Sequence, residues 1–211
     1  MREAQRRVIV TAGPTREYVD PVRYLSNESS GRMGFAIASA AVAAGHDVTL
    51  IAGPVHQTTP LGAKRLDVVS ALDMLAALEA TVPPADALFM AAAVADYRPA
   101  VRHNEKWKAK ESGSQARIDL VENPDLLAHV AELPGERTVI GFALETSMGE
   151  QRALAKMERK KTDFIVLNGV SALNADRTSV TILGRRGSRV IHKDQPKAWV
   201  AQRLVELLSA D

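Results

Sequence analysis

The sequence predicts an α/β fold, an open and mostly parallel sheet with helices on both faces. Three observations carry that expectation. Short apolar runs rich in β-branched residues alternate with Ala-rich stretches whose apolar positions recur at helical spacing. A strand–helix–strand order of this kind requires parallel pairing through right-handed crossovers. Aromatic residues make up only 4% of the chain against 46% hydrophobic residues overall. The core must therefore be packed from Ala, Val, Leu and Ile, as helix-on-sheet layers are.

Residues 8–12 (VIVTA) form a buried strand by length and composition, ended by Gly13-Pro14. A polar loop follows as far as Gly31. Residues 33–44 make an Ala-rich helix stopped by Gly45. A second strand covers 47–52, a helix 71–80, and a third strand 85–95. The order then repeats. Asn123 caps a helix that runs to residue 133, with Pro124 in its first turn. Residues 138–144 are a strand, 150–161 a helix and 163–167 a strand. Strands over 179–183 and 189–192 flank Gly184-Arg-Arg-Gly187 as a C-terminal β-hairpin. An amphipathic helix covers 197–209. Together these elements predict a Rossmann-like sheet in a single domain over residues 1–211. The stretch around 101–116 is charged, contains Gly and Ser, and has no period. Loops of that length in a compact domain are commonly functional, and this one reads as a flap.

Composition excludes several classes. The 27 basic and 25 acidic residues leave a net charge of +2, too balanced to argue for nucleic-acid or membrane binding on bulk charge. The chain has no cysteine, which rules out a disulfide framework, a thiolate metal site and a cysteine nucleophile. A reducing cytoplasm is the expected setting. No apolar run approaches the roughly 20 residues that a membrane span needs. The five histidines are scattered without metal-ligand spacing. Neither G-x-G-x-x-G nor a Walker motif occurs, and strand 47–52 ends without an acidic residue for a ribose, which argues against a dinucleotide-dependent oxidoreductase.

In an open α/β sheet, ligands sit beyond the carboxyl ends of the strands. The unusual polar residues gather there. In the first loop, GPTREYVDPVRYLSNESSGRMG, Ser29, Ser30, Gly31 and Gly34 stand at a helix start where free backbone N–H groups can meet an anion, and Gly13 and Arg23 are assigned to the same anion and substrate loop. A Ser cap with a helix-packing glycine is the plainer reading. Small residues around Ala92 let a ring or ribose approach the backbone before Asp96, whose carboxylate can accept from ribose hydroxyls or help hold magnesium. Lys156 and Lys160 share one helix face, where like charges repel by a few tenths of a kcal/mol, a strain that an anion relieves. Phe142 offers a face for base stacking or a core ring, and the sequence leaves both open.

The first loop closely resembles the signature of phosphopantothenate–cysteine ligases, the synthetase half of bacterial bifunctional coenzyme A enzymes. Further matches follow in the family's order: Ala92-Ala-Val-Ala-Asp-Tyr97, Glu105-Lys-Trp-Lys108, Asn123-Pro-Asp125, Gly141-Phe-Ala-Leu-Glu-Thr146, and Lys156 with Lys160 before Asp163-Phe-Ile-Val-Leu-Asn168. The resemblance covers about residues 7–208. It implies condensation of 4′-phosphopantothenate with L-cysteine through an acyl-cytidylate, with CTP and Mg2+ as co-substrate and cofactor and no flavin. It implies that Asn27 acts in the chemical step and that Lys106, on the flap, is catalytic and reaches the triphosphate. Either Lys108 or Lys110 completes the flap motif. Ala92, Asp96, Asn123, Pro124, Asp125, Leu126, Phe142, Lys156 and Lys160 are implied to bind the nucleotide. A homodimer is implied, with no nucleic-acid or membrane partner. The stretch 171–178 lacks the family's usual Gly-Phe element. A related ligase that uses ATP or another acid, and a nucleotide-binding module without catalysis, remain the alternatives.

Overall fold

The structure is a computed structural model that describes residues 4–108, 116–144, 149–169 and 175–209. Its centre is an eight-stranded sheet in the order β12-β11-β10-β9-β6-β1-β4-β5. The strands are β1 (Arg7–Ala12), β4 (Asp47–Ala52), β5 (Ala63–Asp67), β6 (Ala87–Met90), β9 (Thr138–Leu144), β10 (Phe164–Asn168), β11 (Arg177–Gly184) and β12 (Arg189–Pro196). All pairs from β5 to β10 are parallel, and β11 and β12 add an antiparallel edge. The expected open, mostly parallel sheet with a terminal hairpin is what the chain forms. The chain runs outward from β1 to β4 and β5, then returns to β6 on the other side. The sheet therefore reverses direction between β1 and β6, the place where open α/β sheets bind ligands.

Alternation along the strands fixes two faces. Val8, Val10 and Ala12 point to one side, where they pack with Phe35, Ile37, Ala38 and Ala41 of α1 (Arg32–Ala43) and with Val200, Ala201 and Leu204 of α5 (Lys197–Glu206). Ile9, Ile51 and Leu88 point to the other side. They pack there with Met74 and Leu78 of α2 (Ala71–Thr81) and with Leu126, Leu127 and Val130 of α3 (Leu126–Val130). On that face Ala153 and Met157 of α4 (Gly149–Lys160) cover Ile165 and Leu183. Fully burying one such Leu, Ile or Met contributes about 1.5–3 kcal/mol, so these clusters supply most of the driving force. Ser70 starts α2 with a capping box: its hydroxyl accepts from Asp73 N at 3.2 Å and its own N–H donates to the Asp73 carboxylate at 2.8 Å.

Several local expectations are corrected. The polar first loop contains a hairpin, β2 (Arg16–Asp20) against β3 (Arg23–Ser26). A second two-stranded sheet pairs β7 (Tyr97–Pro99) with β8 (Leu120–Glu122). Neither ribbon carries an apolar alternation, because β2 buries the charged Glu17 and Asp20 and the strands β3, β7 and β8 are short and largely exposed. β5 was also unread. The third strand stops at Met90 instead of residue 95, because Ala92 N turns to Thr11 Oγ1 (3.1 Å) and Ala93 N to Gly13 O (2.8 Å). Asn123 is not the cap of the following helix. Asp125 is, accepting from Ala128 N at 3.0 Å, and α3 ends at Val130 instead of 133. No serine side chain caps α1, whose N-cap is Gly31 at φ 74°. Gly34 packs where a Cβ would lie 2.5 Å from Ala12 Cβ, so α1 and β1 approach closer than any other residue allows. Of the expected flap, residues 109–115 lie outside the described residues, as do Lys110, Glu145, Thr146 and residues 170–174.

Candidate active site

Two adjoining compartments open at the carboxyl ends of the central strands, beside the reversal point of the sheet. The larger has a volume of about 370 Å³. Its walls include Ala92 and Asp96 from the segment after β6, and Asn123, Pro124, Asp125 and Leu126 from the start of α3. Lys156 and Lys160 of α4 enter from the opposite side. The smaller, about 170 Å³, is bordered by Ser29, Ser30, Gly31, Asn168 and Lys197. Ala92 and Phe142 line both. The half-buried ring of Phe142 thus serves as core and as groove wall together, because it packs on the α1–α5 side of the core.

Local folding explains each placement. The backbone from Ala92 to Ala95 is pinned from below by two fully buried threonines: Thr11 Oγ1 accepts from Ala92 N and Thr15 Oγ1 from Ala95 N, both at 3.1 Å. Asn123 sits 7% exposed and ties the two walls. Its Nδ2 donates to Ala95 O at 2.8 Å, and its Oδ1 accepts from Arg98 Nη1 at 3.1 Å. Lys156 Nζ donates to Phe142 O at 2.9 Å. Lys160 is 7% exposed and ion-paired with the Asp125 carboxylate. Burial pushes the Lys160 pKa down and Glu122 works against that shift. Lys197, at the rim of the smaller compartment, is likewise lowered by burial and by Arg32, with Asp176 opposing. Arg159 joins the same wall. Each lysine on this wall keeps a partner in the fold while standing beside open volume. An anion entering there meets cations already placed, which minimises the cost of organising them.

The fold does not bring every expected residue to this groove. Asn27 lies on the chain just after β3, and its Nδ2 donates to Val94 O at 3.0 Å and Ala93 O at 3.4 Å. Its donors are committed to the groove backbone, so the amide presents its oxygen. Gly13, at φ 78°, lies beneath Gly31 and accepts from Ala93 N. Arg23 turns away from the α1 start: its Nε donates to Asp20 at 2.8 Å and its guanidinium also meets the Trp107 carbonyl. Lys106 is exposed on the segment next to Trp107 and does not border either compartment within this subunit. Sequence reasoning missed Thr11, Arg159 and Lys197, and it placed Thr15 and Arg98 at the strand ends without giving them a role. The pinning threonines carry no sequence signal, since a strand threonine is ordinary. Lys197 directly follows Pro196 at a helix start, the single hint available.

Magnesium fits this groove in one way. Among the described residues no group of three or more His, Cys, Asp or Glu side chains is arranged to hold a metal. Asp96 stands exposed at the larger compartment, and a nucleotide-borne magnesium needs only one or two protein carboxylates beside phosphate oxygens and water. Among the described residues no helix is long and apolar enough to cross a membrane.

An open, mostly parallel sheet with a lysine-lined groove at its reversal point places the chain among the open α/β domains. Residues 3–210 match the family described as the DNA/pantothenate metabolism flavoprotein C-terminal domain, and the chain belongs to that family. The chain is 46% identical over 205 residues to the coenzyme A biosynthesis bifunctional protein CoaBC of Escherichia coli K12, covering 94% of this chain and 50% of the relative. It is 44% identical over 187 residues to CoaBC of Vibrio cholerae, covering 86% and 47%. The chain thus spans about half the length of these curated relatives. A crystal structure of the C-terminal domain of CoaBC superposes with a TM-score of 0.85 at 34% identity, with both chains covered completely. The family read from the first loop is therefore the family found.

Proposed function

We propose that this chain is a phosphopantothenate–cysteine ligase of coenzyme A synthesis that uses CTP. What most supports the reading is the assembly of Ala92, Asp96, Asn123–Leu126, Phe142, Lys156 and Lys160 around one groove, together with family membership. These residues come from segments far apart in sequence, and a solvated charge run would have no reason to line a common cavity.

In this reading the 4′-phosphopantothenate carboxylate oxygen attacks the α-phosphorus of CTP and pyrophosphate leaves. The cysteine nitrogen then attacks the acyl carbon, CMP leaves, and the amine gives up a proton as the amide forms. Hydroxide is a poor leaving group and a nucleoside monophosphate a good one, so activation precedes coupling. Catalysis is mainly positioning and charge neutralisation. Lys156 and Lys160 would meet phosphate oxygens, Asp96 the ribose or the metal, and the start of α3 the base and sugar. A magnesium ion bound with the triphosphate would neutralise its charge. The Asn27 amide oxygen, left exposed by its committed donors, suits an acceptor role toward the incoming amine. Lys106 would complete the site of the second subunit of a homodimer, held there by the ties of its segment to the hairpin. Such an enzyme would work where cysteine stays reduced, as in a cytoplasm.

The test is direct. Purified protein with CTP, magnesium and 4′-phosphopantothenate should release pyrophosphate before cysteine is added, and should form 4′-phosphopantothenoylcysteine once it is. Turnover with ATP in preference to CTP would assign a related ligase. A stable CTP complex with no turnover would assign a binding module.

A further inference from the structure

We propose that Asp20 is a positioning residue for this reaction, holding Arg23 and the segment that carries Lys106 in one arrangement. The inference rests on the ligase reading above. Asp20 closes β2 and is fully buried. Its two oxygens do different work. Oδ1 accepts from Val22 N and Arg23 N, both at 2.9 Å, and closes the β2–β3 turn. Oδ2 accepts from Arg23 Nε at 2.8 Å and from Trp107 N at 3.1 Å. The Arg23 guanidinium in turn donates to the Trp107 carbonyl, and His103 N donates to Val19 O at 2.9 Å. Lys106 is thereby bracketed by two ties to the same hairpin.

A turn of this kind needs one side-chain oxygen, which Asn supplies as well as Asp. The buried charge and the second oxygen exceed that need. A buried carboxylate costs free energy unless its lone pairs are filled, and here the filling donors come from the substrate-loop arginine and the residue next to Lys106. Burial works to raise the Asp20 pKa, but the N–H donors of Val22, Arg23 and Trp107 together hold it at about 2. The carboxylate stays charged and keeps the latch closed.

Asp20→Asn separates the two jobs. Its amide oxygen can still accept from Val22 N and Arg23 N, while its amide nitrogen faces the two donors that Oδ2 served. Single-turnover pyrophosphate release, measured without cysteine, gives the readout. With the wild type releasing pyrophosphate, the variant should show a rate constant lower by roughly 10- to 100-fold at undiminished amplitude. It should also be cut several-fold faster by trypsin after Lys106 and Lys108. A defect of folding alone lowers the amplitude and leaves the rate constant unchanged, and that result overturns the proposal, as does a wild-type rate constant. Trp107→Pro removes the one flap N–H that Asp20 accepts without touching Asp20 or the turn, and should reproduce the slowed step; wild-type kinetics in that variant also overturn it. Failure of the wild type to release pyrophosphate at all speaks instead against the ligase reading.

Discussion

The Lys156 ammonium donates to the carbonyl oxygen of Phe142 at 2.9 Å, tying a cation on α4 to the strand whose ring borders both compartments of the groove. That tie holds the lysine beside open volume before any ligand arrives. A hydrogen bond from a charged donor contributes about 1.5–3 kcal/mol. Lys156→Met gives up such a bond to a phosphate oxygen and should weaken CTP binding roughly 10- to 100-fold, while loss of the tie to Phe142 O should lower the urea midpoint. Calorimetric titration with CTP checks this, and an unchanged affinity would remove Lys156 from the phosphate site.

Asp125 performs two functions at once, capping α3 and pairing with buried Lys160. Asp125→Ala loses the cap, at about 0.5–2 kcal/mol, and leaves a buried ammonium without its carboxylate. Asp125→Asn keeps the cap and loses only the charge. Equilibrium unfolding should rank the proteins wild type, then Asn, then Ala in falling stability. Equal stability of the wild type and Asp125→Asn would mean that the pairing with Lys160 contributes nothing.

Gly34 leaves no room for a side chain, since an added Cβ would stand 2.5 Å from Ala12 Cβ and 3.0 Å from Thr11 O. Both neighbours belong to the central strand and cannot yield cheaply. Gly34→Ala should cost about 1–3 kcal/mol despite the better helix propensity of alanine. It should also shift the start of α1 and so perturb the smaller compartment. Denaturant unfolding read alongside CTP affinity separates the two effects.

Asn27 spends its amide donors on Ala93 and Val94. Asn27→Ala should leave CTP binding in place and slow production of phosphopantothenoylcysteine, with kcat reduced roughly 100-fold, the scale of lost positioning. Loss of CTP binding in that variant would contradict the assigned role.

Acid should reveal Asp20. Its folded pKa of about 2 lies below its ordinary value of 3.8, so the unfolded chain takes up its proton first as pH falls. The stability it contributes is present above about pH 4 and lost as pH drops toward 2. The stability difference between wild type and Asp20→Asn should be largest at neutral pH and shrink through that window. A difference independent of pH would mean that the carboxylate charge is not what holds the hairpin.

Much of this was legible in the chain. Strands β1, β4, β9 and β10 announce themselves by short apolar runs, and α1, α2 and α4 by their period, because one or two buried faces select residues position by position. The groove residues were legible as motifs, though not as neighbours. The short hairpin β2–β3 and the pair β7–β8 were hidden, since β2 buries charged Glu17 and Asp20 in place of apolar residues and the other three strands are short and largely exposed. The cap of α3 moved from Asn123 to Asp125 because Asn123 was drawn into the groove wall by Ala95 O and Arg98, a competition that no local pattern records.

By itself, the sequence determined the parallel α/β class, the terminal hairpin, the absence of thiol chemistry and the family of the chain, because periodicity and residue type are local properties that burial enforces. Only the tertiary structure decided which of the expected site residues share a cavity. It joined Lys156, Lys160, Asp125 and Phe142, and it set Arg23 and Trp107, the neighbour of Lys106, against Asp20 on the hairpin. The reason is physical: a groove at the sheet's reversal point is made by segments dozens of residues apart, and their proximity depends on which strands pair and how closely α1 can settle on β1.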